Sequence, residues 1–431
     1  MTAADTAAAG RALPLPPLDE PVEPVPLGLI EEPESGAAQV SQWTLMRWRF
    51  TQNRLSVAAL VVLVLSYLAA ATAPFLAPYD ANDLDSEHSY SAPTPIRWIG
   101  GRPAICPQVQ TLDPRLLKWE YAADCSQARP IELFVKGAPY AWFGLIKSDV
   151  HLFGVTAGPP IAGAPAPAAA QPVTPAADPF AALRQTPAAG QASPTAKPPV
   201  APKIYLMGAD QQGRDLFSRV MIGSRVSLTI GLVGVVLALV IGSLLGTASG
   251  YLGGVVDELI QRTIEIVRSM PTWPLWIAIA AALPRTTTVT QRFFLITLVL
   301  SLVQWTGLAR ELRGKVMAYR QLDYIAAARL AGCSHLRTIL THMVPNAASH
   351  IIVVATLAVP NAILGETTLS FLGLGMMPPA VSWGVLLRDT QQIDSLLLHL
   401  WMLWPAAPVI VTVASYFLLG DGLRDAIDPY S

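Results

Sequence analysis

The chain has 431 residues, of which 52% are hydrophobic and only 14% are charged. Soluble domains usually carry about a quarter charged residues, so this composition indicates a protein partly solvated by lipid. The formal net charge of −1 lacks the basic field that a nucleic-acid-binding protein needs. Three cysteines are too few for a disulfide scaffold or a structural zinc site.

The N-terminal part of the chain predicts a tail and a first membrane span. Residues 1–45 are rich in Ala, Pro and Glu, a composition that cannot bury a core and predicts a disordered cytoplasmic tail. Residues 46–80 hold an apolar run from Leu55 to Pro78, which is long enough to cross a bilayer. Three arginines precede this run: Arg47, Arg49 and Arg54. They place the N-terminus in the cytoplasm by the positive-inside rule.

Residues 81–205 form a polar insertion, which this orientation places outside the cytoplasm. We expect mixed or irregular structure there. The aromatic and β-branched segment Ile131–Leu145 predicts a strand pair that turns at Gly137–Ala138–Pro139. An Ala/Pro-rich linker follows over residues 157–203.

Two of the three cysteines, Cys106 and Cys125, lie within this insertion. An exported segment is where disulfides form and persist. The two residues either form a bridge or remain unpaired thiols in a loop, because connectivity cannot be read from the sequence.

Residues 206–431 contain five further apolar runs. They are Val226–Ala248, Met270–Leu283, Phe293–Leu308, Ala347–Gly365 and Leu400–Leu419. With the first run they predict an all-α membrane protein of about six transmembrane helices. The run from Met270 contains two prolines. The residue at which this span begins is undecided, because an amphipathic stretch precedes the run. Counting spans from the N-terminus places the loop over residues 310–345 and the C-terminus in the cytoplasm.

Within that loop, residues 323–345 ("DYIAAARLAGCSHLRTILTHMVP") are polar and favour helix. Gly332 suits the end of a first helix, since glycine adopts the left-handed conformation easily, and Ser334 can cap a second helix. Four apolar residues of the second helix share a stripe that should anchor it: Leu336, Ile339, Leu340 and Met343. The pattern alone fits either a joint that transmits force from a soluble partner or an amphipathic loop on lipid headgroups.

This segment resembles the EAA loop of bacterial ABC importer permeases. The pattern of that loop is E-A-A, three residues, G, nine residues and I-x-L-P. The positions in register are Ala327, Ala328, Gly332 and Pro345. The glutamate that gives the loop its name is Ala326 here, and the Ile and Leu positions hold His342 and Val344.

Other segments are similar to the dipeptide/oligopeptide/nickel branch of these permeases, in its second or C-type subunit. They include "GADQQGRDLFSRVMIGSRVSL", "ILGETTLSFLGLGMMPPAVSWG" and "LGDGLRDAIDP". The resemblance covers about residues 45–83 and 204–430. It implies a type I ABC importer permease fold in the bacterial inner membrane. It also implies ATP-driven import of di- or oligopeptides, or alternatively of nickel or another small solute.

The resemblance implies a transport subunit that is no enzyme and binds no cofactor itself. ATP and Mg would be bound by one or two ABC ATPase subunits. The other expected partners are a second homologous permease, a periplasmic solute-binding protein and the lipid bilayer, with no nucleic acid. The residues expected to couple to the ATPase are Asp323, Tyr324, Ala326, Ala327, Ala328, Arg329, Gly332, Ser334, Arg337, His342 and Pro345. Of these, Asp323, Arg329 and Arg337 either contact the ATPase or anchor to headgroups.

Four ionisable residues are candidates for the transport pathway or its periplasmic entrance: Asp210, Arg214, Asp215 and Glu366. Arg214 and Asp215 form either a local charge pair at the entrance or a solvated helix end. Glu366 ends the fifth apolar run, where a charge is costly and often functional. It either faces the pathway or contacts backbone amides at the interface.

Two other classes of protein fit the sequence less well. An ion-coupled secondary transporter would need ionisable residues in its spans and paired repeats, whereas these apolar runs are nearly free of charge. A membrane anchor for the 81–205 insertion would leave the motifs of the other spans unexplained.

Overall fold

The computed structural model describes residues 42–99, 101–113, 118–142, 145–155, 202–284 and 286–427. Two compact units divide the chain, residues 1–45 and residues 46–431. The predicted disordered tail, apart from the start of the first helix, and nearly all of the Ala/Pro-rich linker lie outside the described residues.

Helices make up most of the described chain. In chain order they are α1 (Gln42–Gln52), α2 (Arg54–Ala71), α3 (Ala73–Leu76), α4 (Leu216–Leu252), α5 (Gly254–Ser269), α6 (Thr272–Ala282), α7 (Val289–Tyr319), α8 (Asp323–Leu330), α9 (His335–Thr338), α10 (Val344–Asn346), α11 (Ala348–Phe371), α12 (Trp383–Arg388), α13 (Ile393–Leu398) and α14 (Ala406–Ile427).

Among the described residues, five helical segments are long and apolar enough to cross a membrane. They are Arg54–Ala71, Leu216–Leu252, Val289–Tyr319, Ala348–Phe371 and Leu400–Ile427. They coincide with five of the six predicted runs, and most extend beyond them because polar residues continue the helices past the apolar stretch. The mostly helical architecture predicted from the sequence is therefore confirmed.

The remaining predicted span, Met270–Leu283, is a much shorter helix. Helix α6 has 11 residues and is therefore roughly 16 Å long, about half the thickness of a bilayer core. Pro271 explains the break. The residue before a proline is driven out of the helical region, and Met270 is extended, with φ −91° and ψ 136°. The amphipathic helix α5 ends just before it.

Helices α4 and α7 pack closely because glycines line α4. A Cβ atom added to Gly246 would lie 2.5 Å from the carbonyl oxygen of Ala309, and one added to Gly242 would lie 2.8 Å from that of Trp305. Gly250 is in similar contact one turn further on. Glycines spaced four apart on an apolar helix allow two backbones to approach. This signal was present in "GSLLGTASG" and was not used above.

The described part of the polar insertion contains six antiparallel strands, which are more regular than the predicted mixture. They are β1 (Ile96–Ile99), β2 (Arg102–Ile105), β3 (Gln108–Asp113), β4 (Lys118–Ala123), β5 (Arg129–Trp142) and β6 (Ile146–Val155). One sheet has the order β1-β2-β5-β6, and β3 pairs with β4 alone. We call residues 96–155 the β insertion.

The turn predicted at Gly137–Ala138–Pro139 is wrong. Strand β5 continues through these residues as a bulge, where its register with β6 shifts between Lys136 and Tyr140. A bulge accommodates a proline, which has no N–H to donate to the ladder. The chain reverses only after Trp142.

Side-chain contacts tie the β insertion to the end of the first span. His151 of β6 is buried, and its Nδ1 lies 2.5 Å from the carbonyl oxygen of Ala77, next to α3. Its Nε2 lies 3.0 Å from the carbonyl oxygen of Ala138 in the bulge. Cys106 and Cys125 form a disulfide with a Cα–Cα distance of 4.5 Å.

Candidate functional site

The segment 323–345 folds as a bent pair of helices. Helix α8 ends at Leu330, and Gly332 follows with φ +78°, the left-handed conformation that the sequence predicted for it. Ser334 caps the second helix, since its Oγ accepts a hydrogen bond from the Arg337 N–H at 3.4 Å. The bend is therefore built by the two residues that local sequence rules identify.

The second helix is less regular than predicted. It consists of α9, a π-helical turn over Ile339–Met343 and α10. Ile339 and Met343 are buried, but Leu336 is 63% exposed and Leu340 is 49% exposed. The prediction that the whole apolar stripe anchors the helix is thus wrong, because only one edge of the stripe packs against the membrane domain. The second anchor is Ile325 of α8, which packs in the same buried cluster.

Side-chain contacts connect the pair to the end of α4 and join its two helices to each other. Arg329 Nε donates a hydrogen bond to Tyr251 Oη at 3.2 Å, and its guanidinium lies 4.8 Å from the centre of that ring. Tyr251 is near the end of α4, and His335 contacts the same ring edge-on. Asn346 Nδ2 donates to Tyr324 Oη at 3.0 Å. Helix α8 is therefore connected directly to α4 and to α10, which precedes α11.

The outer surface of the pair exposes apolar side chains among polar ones. Leu330 is 90% exposed, and Tyr324 is 41% exposed. The other predicted coupling residues lie on or near this surface. Those classed as exposed are Asp323, Ala326, Ala327, Arg329, Gly332, Ser334, Arg337 and Pro345, whereas Ala328 and His342 are half-buried.

An ion pair beneath the helix pair was missed by sequence reasoning. Arg313 of α7 donates from Nε to Asp257 Oδ1 and from Nη2 to Asp257 Oδ2, both at 2.6 Å. This hydrogen bonding holds the pKa of Asp257 below its usual range. The two residues lie 56 positions apart, and no local pattern predicts their contact. The pair joins α5 to the end of α7.

At the opposite end of α4, the candidate entrance residues form a buried ionic cluster. Asp210 Oδ2 accepts from Arg214 Nε at 2.7 Å and also from Arg219 Nη1. Asp210 and Arg219 are almost fully buried. Asp389, beyond α12, lies 3.7 Å from Arg219 Nη1 and 3.9 Å from Arg214 Nη2. The sequence analysis missed both Arg219 and Asp389.

The charge pair suggested for Arg214 and Asp215 is wrong. Asp215 is the N-cap of α4, and its Oδ2 accepts from the Ser218 N–H at 2.8 Å and from Ser218 Oγ at 2.6 Å. The free N–H groups of a first helical turn attract such an oxygen. Burial, only partly offset by these hydrogen bonds, raises the pKa of Asp215 to about 6. Arg214 pairs with Asp210 instead.

The environment of Glu366 also differs from both interpretations of the sequence. Helix α11 continues past it to Phe371, and the side chain is fully buried. Its Oε2 accepts from Ser227 Oγ at 3.0 Å and its Oε1 from Ser370 Oγ at 2.8 Å. Its recorded partners are therefore hydroxyl groups of α4 and α11 rather than backbone amides, and in this structure no surface of the carboxylate faces a pathway.

Five apolar spans and an exposed bent helix pair between two of them define a multi-span membrane protein of the transport permease class. Among the described residues, no group of three His, Cys, Asp or Glu side chains could hold a metal ion. The comparisons with known proteins identify the family. Residues 222–430 match the family described as binding-protein-dependent transport system inner membrane component. Residues 41–93 match the N-terminal TM domain of oligopeptide transport permease C.

Named relatives agree with both matches. The chain is 37% identical over 234 residues to an oligopeptide transport system permease protein of Bacillus subtilis, covering 54% of this chain and 73% of the relative. It is 40% identical to an oligopeptide transport system permease protein of Escherichia coli, covering 52% and 72%. A probable D,D-dipeptide transport system permease protein of Escherichia coli is 38% identical, covering 54% and 75%. The chain therefore belongs to the family of binding-protein-dependent transport permeases and is a transport subunit.

Proposed function

We propose that this chain is a permease subunit of an ATP-driven importer that moves peptides across the bacterial inner membrane. In this proposal the N- and C-termini are cytoplasmic and the β insertion is periplasmic. The relatives reported above are named for oligopeptides and dipeptides, which favours peptides over nickel or another small solute. Membership of a binding-protein-dependent family also favours this function over an ion-coupled secondary transporter.

The observation that carries the proposal is the exposed apolar surface of residues 323–345. Leu330 at 90% exposure and Leu336 at 63% are held out by a bend, while Ile325, Ile339 and Met343 fix the base. Exposed apolar patches rimmed by polar residues mark protein interaction sites. The proposed occupant is an ABC ATPase subunit, which binds and hydrolyses ATP with Mg.

The remaining proposed partners are a second homologous permease and a periplasmic solute-binding protein. One or two ATPase subunits would close on ATP and push α8, and the contacts Arg329–Tyr251 and Asn346–Tyr324 would carry that displacement into α4 and α11. Asp323 and Arg337, which are exposed, would contribute polar contacts at the rim.

Substitution of Gly332 tests the coupling. Gly332→Val should abolish ATP-driven peptide uptake in reconstituted importer, because a β-branched residue cannot adopt φ +78° without strain. Gly332→Asn is the matched control and should retain most uptake, since asparagine tolerates this conformation. A Cβ at position 332 meets no atom within 4 Å, so neither change should impair insertion of the spans. Full uptake by the valine variant would contradict the proposal.

A further inference from the structure

A groove lined by polar and apolar side chains lies away from the entrance candidates. It has a volume of about 780 Å³ and runs between α7, α11 and α14. Its lining includes Glu311, Lys315, Asn346, His350, Asn361 and Arg424, beside apolar residues of α11. By contrast, Asp210, Asp215 and Glu366 are buried against partners of their own. The groove, unlike those residues, therefore exposes polar side chains that a solute can contact.

Asn361 shows that this face of α11 does not meet lipid. It lies near the middle of the span Ala348–Phe371 and is exposed. Its Nδ2 donates to the Leu357 carbonyl oxygen within the same helix at 3.2 Å. Polar groups within a membrane face a bundle interior or a water-filled cavity, since lipid cannot satisfy them.

The charges of the groove distinguish a solute route from a protein interface. Interface cores are depleted of charged residues, yet this groove presents an acid and three basic side chains. His350 Nε2 lies 3.1 Å from Glu311 Oε2. Lys315 follows Glu311 by one helical turn, and Arg424 faces the same space from α14. An acid beside two permanent cations matches a zwitterion that carries an ammonium and a carboxylate.

The dimensions fit a short extended chain. Along α11 the groove is lined from Ser349 to Asn361, over roughly 18 Å, which is the length of an extended peptide of about five residues. Asn346 lines the groove and also donates a hydrogen bond to Tyr324 in the proposed coupling segment. One end of the groove therefore lies at Asn346, the residue that contacts α8.

We propose that this groove is the surface over which this subunit passes its substrate, and that it binds short zwitterionic peptides. The proposal rests on the function proposed above. Asn361 and Asn346 bind peptide amides, Glu311 binds the ammonium, and Lys315 with Arg424 binds the terminal carboxylate.

Thiol labelling tests whether the groove is wet and occupied. The experiment uses the assembled importer in vesicles, with Cys333→Ser to remove the free thiol and Asn361→Cys as the probe. A small, charged thiol reagent should label position 361, because only a hydrated thiol ionises, and a saturating tripeptide should slow labelling about fivefold or more. Leu298→Cys, on α7 and 53% exposed in the wild type, is the control and should stay unlabelled. No labelling at position 361, or labelling that peptide leaves unchanged, overturns the proposal.

Selectivity gives a second readout. Arg424→Gln should reduce uptake of a tripeptide with a free carboxylate about tenfold relative to its C-terminal amide, as expected for one lost charged hydrogen bond. The solute-binding protein is the same in both assays, so its own preference cancels in this ratio. An unchanged ratio overturns the assignment of Arg424. If wild-type importer moves no peptide, the proposed function fails; if it does and position 361 is dry, only this inference fails.

Discussion

The two ends of α4 are built in opposite ways. At its N-terminal end, Asp210 and Arg219 are almost completely buried and joined to Asp389 from a distant loop. At its C-terminal end, Tyr251 supports a helix pair whose leucines remain uncovered, with Leu330 90% exposed. One end is completed by the chain itself, and the other has a surface that a further protein can complete. Substitutions at the first end should therefore affect folding, and those at the second should affect assembly.

The largest effect is expected from Asp210→Asn. This change leaves Arg214 and Arg219 buried with only Asp389 nearby, and removal of one partner from a buried ionic cluster costs about 3–5 kcal/mol. Thermal unfolding in detergent should show a large loss of stability. Glu265→Gln is the control, because Glu265 pairs with Arg262 on the surface, where such pairs contribute about 0–1 kcal/mol. Equal losses in the two variants would refute the distinction.

Gly246→Ala should come next. The added Cβ would lie 2.5 Å from the Ala309 carbonyl oxygen, so α4 and α7 must separate, at a cost of about 1–3 kcal/mol. Gly307→Ala places the same methyl group in a helix interior with no atom within 4 Å. It should be neutral or stabilise by up to about 1 kcal/mol. The free energies of unfolding of the two variants are compared, which separates the effect of steric contact from that of helix propensity. Similar values would contradict close packing at Gly246.

A pH dependence is expected at Asp85, near the N-terminal end of α4. Burial alone would raise the pKa of Asp85, but His88 at 3.1 Å, Lys203 at 3.5 Å and the Tyr205 hydroxyl lower it below its usual range. Ionised Asp85 should therefore contribute about 2 kcal/mol at every pH above the unfolded-state pKa of about 4. That contribution is lost as the pH falls through the lower, folded-state pKa.

The measurement compares unfolding of wild type with Asp85→Asn between pH 7 and pH 3. The difference should be constant from pH 7 to about pH 5 and shrink below about pH 4. A difference that already shrinks between pH 7 and pH 5 would mean that another group, rather than Asp85, carries the effect.

The smallest effect on stability is expected from Leu330→Ser at the other end. A side chain that is 90% exposed contributes little to folding, so unfolding should change by less than about 0.5 kcal/mol. Affinity for the proposed ATPase should nevertheless fall at least about tenfold, as for a central apolar contact of an interface. Leu145→Ser, at a leucine that is 85% exposed in the β insertion, should change neither quantity. Unaltered ATPase binding by the Leu330 variant would remove this surface from the proposed interface.

Local features of the structure were predictable from the sequence, and distant pairings were not. The bend at Gly332 and the cap at Ser334 depend on neighbouring residues, and the spans follow from apolar length. The partners of Arg219 and Arg313 depend on how helices meet, which no short pattern specifies. The third predicted span is a short helix, and the proline that interrupts it, Pro271, could be seen in the sequence. The exposure of Leu336 could not be predicted, because an apolar stripe does not reveal which of its edges packs against the protein.

The disulfide between Cys106 and Cys125 has a consequence for how the molecule matures. It closes a loop of about 20 residues around β3 and β4, which pair with no other strand of the described chain. A two-stranded hairpin is marginally stable on its own, and a crosslink over such a loop adds about 3 kcal/mol. The membrane spans need no oxidant to insert, but the β3–β4 hairpin needs one to form the disulfide that stabilises it. Formation of this disulfide is a thiol oxidation, so the hairpin gains its stabilisation only where an oxidant reaches the β insertion.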